Sequence, residues 1–320
     1  MSTYQVRRFT RADRDQVTSL VNSHIAAVMP GVSVSVSGLM SQLEREPDEF
    51  IVDPWVTERI TLVAEQRQRV VAAAHLLRYA DDARVSTGYR GAGEIRWLVY
   101  WPDAPYWPDA ATAAKALGDA CLAQLQKWQV TRRYADGSLP APGIYGVPEQ
   151  WPHIRELYQR IGFQEEGSRS ETIFLARVSE LPRVSDLSET PLNSAKLAEE
   201  KDLSISELLP RRTLGINGTR ISAVHNENVV GYIEVDSLDE SPRTLRTQGW
   251  ADIGNLEVSS PHSRTAVGTW LLAQAADWLE LGHVTRLLGY ADTDDRDEAE
   301  FFAAAGFRIL TRTLRGLTLP

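Results

Sequence analysis

The 320-residue sequence predicts an α/β chain built from two copies of one unit, because three pairs of matching segments recur in the same order. LVAEQRQRVVAAAHLL (62–77) and ISAVHNENVVGYIEV (221–235) both read as strand, polar turn, strand, with Val70-Val71 matching Val229-Val230. GEIRWLVYWP (93–102) matches ADIGNLEVSS (251–260): an acidic residue, Ile, two residues, then Leu. LYQRIGF (157–163) and FFAAAGF (301–307) each put two bulky residues on a helix and end it in Gly-Phe, with Gly162 and Gly306 as left-handed stops before a strand.

The repeat sets the expected boundaries. The first copy runs from Met1 to Leu181 and the second from Leu203 to Pro320; between them PRVSDLSETPLNSAKLAEEKD (182–202), rich in Ser, Pro, Asp and Glu, reads as a linker. Asp13 to Leu43 supplies helix in the first copy and has no counterpart in the second, so the second is expected to pack with the first rather than stand alone. In the second copy Val267, Trp270, Leu271, Ala275, Trp278 and Leu279 recur at helical spacing. Gly282 ends that helix, HVTRLLGYAD follows as a strand, and DTDDRDEAEFF opens the last helix.

Composition narrows the function. A formal charge of -9 argues against a nucleic-acid footprint and favours a cationic substrate such as an amine. The single Cys121 lies in a periodic apolar stretch and is expected to be buried. No apolar run approaches the ~20 residues that span a bilayer, and Met1 to Asp13 lacks a signal-peptide core, so a cytoplasmic address with no membrane partner is expected. The six histidines show no metal-ligand spacing, and no metal is expected.

The stretch from Asp252 to Leu272 carries the candidate chemistry. A turn of small residues between strand and helix points several backbone N–H groups at one spot, where the helix dipole favours an anion. Ala266, Val267, Gly268 and Thr269 offer those groups, and Ser263, Arg264 and Thr265 add side-chain donors. The alternative is a tight corner that only allows strand and helix to cross closely. The first copy has YWPDAPYWPDAATAAK (100–115) at this place, with no Gly; there Asp109 is expected to cap the helix with its own carboxylate and repel a pyrophosphate. Its Trp97, Trp101, Tyr106 and Trp107 line either a pocket or ordinary core.

LEVSSPHSRTAVGTWLL resembles the acyl-CoA-binding motif of the GNAT N-acetyltransferase superfamily, a strand followed by Q/R-x-x-G-x-G/A and a helix. Counted from Val258 the motif falls on Ser263 to Gly268, with Ser263 in place of Gln or Arg and Ala266 in place of the first Gly. VRRFTRAD (6–13) and both Gly-Phe endings are similar to the family's opening and closing elements, so the resemblance covers nearly the whole chain as a tandem pair, a layout similar to mycothiol synthase and other double GNAT proteins.

The resemblance implies two mixed, mostly antiparallel twisted sheets flanked by helices. It also implies acetyl-CoA as co-substrate, held by Leu256, Val258 and the turn Ser263–Thr269 with Phe302 beside it. A small-molecule amine would attack the thioester directly. Asp252 matches the family's strand carboxylate and Glu257 is the second candidate base; they share a face only if a bulge intervenes. The family's acid tyrosine on the last helix is Phe302 here and Tyr158 in the first copy, which leaves Tyr290 as a substitute proton donor. Two other readings stay open: a non-catalytic acyl-CoA-binding regulator, and a degenerate scaffold or homodimeric interaction module.

Overall fold

The computed structural model describes residues 4–44, 55–83, 85–102, 109–140, 143–165, 169–187, 199–200, 218–225, 228–238, 249–259 and 264–320. The chain forms two units, one from Met1–Ser170 and Thr311–Pro320, the other from Glu171–Pro242 and Thr247–Leu310. In chain order the first copy contributes β1 (Tyr4–Arg8), α1 (Arg14–Val28), α2 (Val36–Leu43), β2 (Val56–Gln66), β3 (Arg69–Tyr79), β4 (Gly93–Tyr100), α3 (Ala110–Lys127), β5 (Arg133–Ala135), β6 (Val147–Pro148) and α4 (Pro152–Arg160). There follow β7 (Arg169–Arg177), β8 (Glu199–Glu200), β9 (Thr219–His225), β10 (Asn228–Ser237), β11 (Trp250–Val258), α5 (Thr269–Leu281), β12 (Arg286–Asp292), α6 (Arg296–Ala304), β13 (Arg308–Arg315) and β14 (Leu317–Leu319).

The first unit's sheet has the order β1-β2-β3-β4-β5-β14, antiparallel throughout except for the parallel β4–β5 step. The second sheet repeats the scheme in the run β8-β9-β10-β11-β12-β7, with β11–β12 the parallel step, and continues past β7 to β13 and β6. These are the mixed, mostly antiparallel sheets that the repeat and the resemblance predict.

The strand next to each parallel step breaks sequence order. β14, the last strand of the chain, pairs β5 in the first unit, and β7, which follows the first copy's Gly-Phe ending, pairs β12 in the second. The sequence repeat places a boundary after Leu181, whereas backbone pairing assigns Glu171–Arg177 to the second unit's sheet. Most of the expected linker and the stretch tested for a missing second-copy helix lie outside the described residues; within the linker a 3-10 turn covers Val184–Asp186.

Local chemistry explains the elements. On α3 the buried residues Ala110, Ala113, Ala114, Leu117, Cys121 and Leu125 follow helical spacing, so one stripe meets the core; Cys121 is buried as expected, and burial pushes its thiol up. α4 and α6 both stop where expected, at Gly162 (φ +104°) and Gly306 (φ +94°), a conformation that costs glycine little. Asp295 caps α6 by accepting a hydrogen bond from the Glu298 N–H at 2.9 Å. In the second unit α5 and α6 cover one face of the sheet, with Trp270, Leu271 and Phe302 packed over Ile233, Ala251 and Leu256. Among the described residues no helix is long and apolar enough to cross a membrane.

Candidate functional site

The sheet face opposite α5 collects the site residues, and a bulge decides which. Asn255 pairs Glu234, but Ile253 pairs Val235, so Gly254 is an extra residue in β11. Ala251, Ile253 and Leu256 all belong to the α5 core, which shows the alternation shifting by one after Ile253. Asp252, Asn255 and Glu257 therefore share the opposite face. The two candidate bases stand on one surface because of that single inserted residue.

Two of the three predicted catalytic residues meet. The Tyr290 hydroxyl donates to Asp252 Oδ2 at 3.1 Å, and both residues are 5% exposed. Glu257 is exposed and accepts from the Tyr232 hydroxyl at 2.6 Å, while Asn255 Nδ2 donates to the same hydroxyl at 2.9 Å. Desolvation and then the Glu257 contact push the Tyr232 phenol up to about 12. Arg220 binds Glu234 and lies 4.5 Å over the Tyr232 ring.

The parallel β11–β12 ladder covers Trp250–Asp252 against Arg286–Leu288 and goes no further, while β12 continues to Asp292 against β7. The first unit starts the same way, with Gly93–Ile95 against Arg133–Ala135. There the loop after β5 extends the pairing: Asp136 N–H donates to Ile95 O at 2.9 Å and Ser138 N–H to Arg96 O at 3.1 Å. The two copies thus share the short parallel step between these strands.

The turn after β11 is also distinctive. Arg264–Gly268 forms a π-helical turn that runs directly into α5. Ala266 is exposed, Val267 is 2% exposed and anchors the turn in the core, and Gly268 is buried and helical (φ −63°, ψ −41°) where the π-helical turn passes into α5. Thr269 is half-buried, Leu256 belongs to the core, and Val258 packs at its edge. Ser263 and the side chains of Arg264 and Thr265 lie outside the described residues. These residues fit a phosphate-bearing ligand: the small side chains of Ala266 and Gly268 lie in the first turns of a continuous helix that starts at Arg264.

Other expectations resolve differently. Asp109 sits at the N-cap of α3 but makes no capping bond; its carboxylate accepts from Gln66 Nε2 at 3.1 Å, because β2 ends beside it and offers a stronger side-chain partner. Phe302, expected beside the thioester, is 1% exposed, stacks on Phe174 at 5.3 Å and fills the space over Gly289, where a Cβ would come within 2.6 Å of its ring. Tyr158 is fully buried and donates to Asp136 O at 2.8 Å, a core role. Trp97 is buried against His75, Trp101 stacks on His24 at 4.3 Å, and Tyr106 and Trp107 lie outside the described residues.

Sequence reasoning missed Asp236, Glu234 and Tyr232. The signal was present: Tyr232, Glu234 and Asp236 recur every second residue in YIEVD, the alternation of a strand with one polar face.

Comparison with known proteins bears on the fold. Residues 183–307 match the model of the acetyltransferase (GNAT) family. No curated protein matches the sequence. Among solved structures the chain is similar to a tandem GNAT protein from the clavulanic acid biosynthesis pathway, at 15% identity over 98% of this chain and 97% of that one, with a TM-score of 0.64. It is similar to the glucosamine N-acetyltransferase region of a fungal multi-domain GH3 β-N-acetylglucosaminidase, at 14% identity over 99% of this chain and 38% of that one, with a TM-score of 0.64. A GCN5-related N-acetyltransferase from Sphaerobacter thermophilus aligns at 12% identity over 98% and 94% of the two chains, with a TM-score of 0.58. Identities this low speak for the fold, and the family match supplies the chemistry: the chain carries an acetyltransferase (GNAT) domain at residues 183–307 within a tandem GNAT fold, and is an acyltransferase.

Proposed function

We propose that the second unit binds acetyl-CoA at the turn leading into α5 and transfers the acetyl group to the amine of a small molecule, with Asp252 as base. The observation that carries this reading is the Tyr290–Asp252 contact beside the point where β11 leaves β12.

A primary amine with pKa near 10 is protonated at pH 7, and freeing it costs about 4 kcal/mol, so a base is useful. Asp252 takes that proton, the amine nitrogen bonds to the thioester carbonyl carbon, the C–S bond breaks, and the thiolate leaves. A thiol with pKa near 8.5 leaves unprotonated at a penalty of about 2 kcal/mol, which the Tyr290 hydroxyl offsets by supplying a proton. Backbone N–H groups near Val258 hold the developing oxyanion. Glu257, on the same face and exposed, meets the incoming ammonium.

The test is release of free CoA thiol from acetyl-CoA across a panel of small amines. At least one amine is expected to give turnover that Asp252→Asn reduces about 100-fold. Acetyl-CoA binding without amine-dependent thiol release from a broad panel would favour a non-catalytic acyl-CoA-binding protein.

A further inference from the structure

β10 and β11 hold Asp236 and Asp252 directly opposite each other in an antiparallel pair, and each is 5% exposed. Opposed residues on one face have Cβ atoms about 5 Å apart, so their carboxyl groups can meet. Two buried carboxylates at that range do not both ionise in the ordinary acid range.

The repeat supplies a comparison inside the molecule. Glu94 occupies the position of Asp252 in the first unit, 1% exposed, and Leu77 stands across from it. The bulged residue two places on is Arg96, whose Nη1 lies 3.5 Å from Glu94 Oε1. In the second unit the opposed position carries Asp236 and the bulged one Gly254. The first copy sets a cation beside its buried carboxylate, which burial and the nearby Asp136 still push up; the second sets a carboxylate directly across the strand pair.

We propose that Asp236 is a positioning residue that shares one proton with Asp252 and thereby sets the basicity of the catalytic carboxylate. This rests on the assignment of Asp252 as the base. Among the described residues the groups on this face are Tyr290, Arg286 and Asp292 of β12, with Arg286 5.0 Å over the Trp250 ring, Glu234 on β10 with Arg220 of β9, and Asn255 and Glu257 further along β11. Such a pair titrates in two separated steps, the upper one displaced toward neutral pH. An ordinary carboxylate near 4 falls about six units short of an ammonium near 10, and the upper step of a coupled pair narrows that gap.

Carbon-13 NMR titration of the aspartate carboxyls in the full chain, with no acyl donor or amine present, tests this, using Asp252→Asn for assignment. Asp252 is expected to titrate with a midpoint above pH 6 in the native protein, and at least one unit lower in Asp236→Asn; Asp236→Ser replaces that variant if it does not fold. A native midpoint below pH 5, or one unchanged in the variant, overturns the proposal, and the native value needs no variant at all. Where turnover is measurable, the acidic limb of kcat/KM is expected to move down by the same interval. Because the titration involves no acyl donor, its failure and a failure of acetyl transfer are separate results.

Discussion

Asp252 and Glu257 share a face but differ in burial, and their substitutions should separate kinetically. Asp252→Asn is expected to lower kcat, whereas Glu257→Gln is expected to raise KM with kcat within a few-fold; the reverse pattern in steady-state kinetics would exchange their roles. A second residue-scale prediction concerns histidine in the first unit. Burial holds the His24 imidazole down to about 4 and that of His75 down to about 3, so both are neutral in the folded protein at pH 7. An unfolded imidazole titrates near 6.5, so between these values the unfolded chain binds more protons and stability is lost as pH is lowered. The melting temperature is expected to drop as pH falls from about 6.5 toward 4, and a His24→Gln, His75→Gln double variant, though less stable at pH 7, should show a flatter profile. At this scale the sequence exposed the carboxylates through their place in the repeat, but not Asp236, whose importance comes from a strand pairing 16 residues away.

The elements were more legible because their signals are local. Both hairpins, both Gly-Phe stops and the α5 stripe follow from spacing alone, whereas the bulge at Gly254 depends on how β10 and β11 register and leaves only a glycine as its trace. The hairpin of β2 and β3 contains a testable strain: its two turn residues, Arg67 and Gln68, have φ of 51° and 63° without being glycine. Gln68→Gly is expected to stabilise the protein by about 1 kcal/mol, as read from denaturant unfolding, because the left-handed cost is removed. Gly289→Ala should do the opposite by about 1–3 kcal/mol, since the new methyl meets the ring of Phe302.

At the scale of the whole molecule, the exchange of final strands makes sequence order a poor guide to cooperativity. Leu317–Leu319 pairs Ala135–Arg133 in the first unit, so removing those residues is expected to weaken protection of β5 in hydrogen exchange although 180 residues of sequence intervene. No periodicity could announce this, because strand partners are chosen by tertiary topology. The functional account rests on a narrower point, that the turn before α5 binds the acyl donor. Calorimetric titration with acetyl-CoA of the native chain and of Gly268→Val tests it most directly. The account predicts micromolar binding that the variant loses while remaining folded; native protein that fails to bind acetyl-CoA, or a folded variant that binds it equally well, would contradict it.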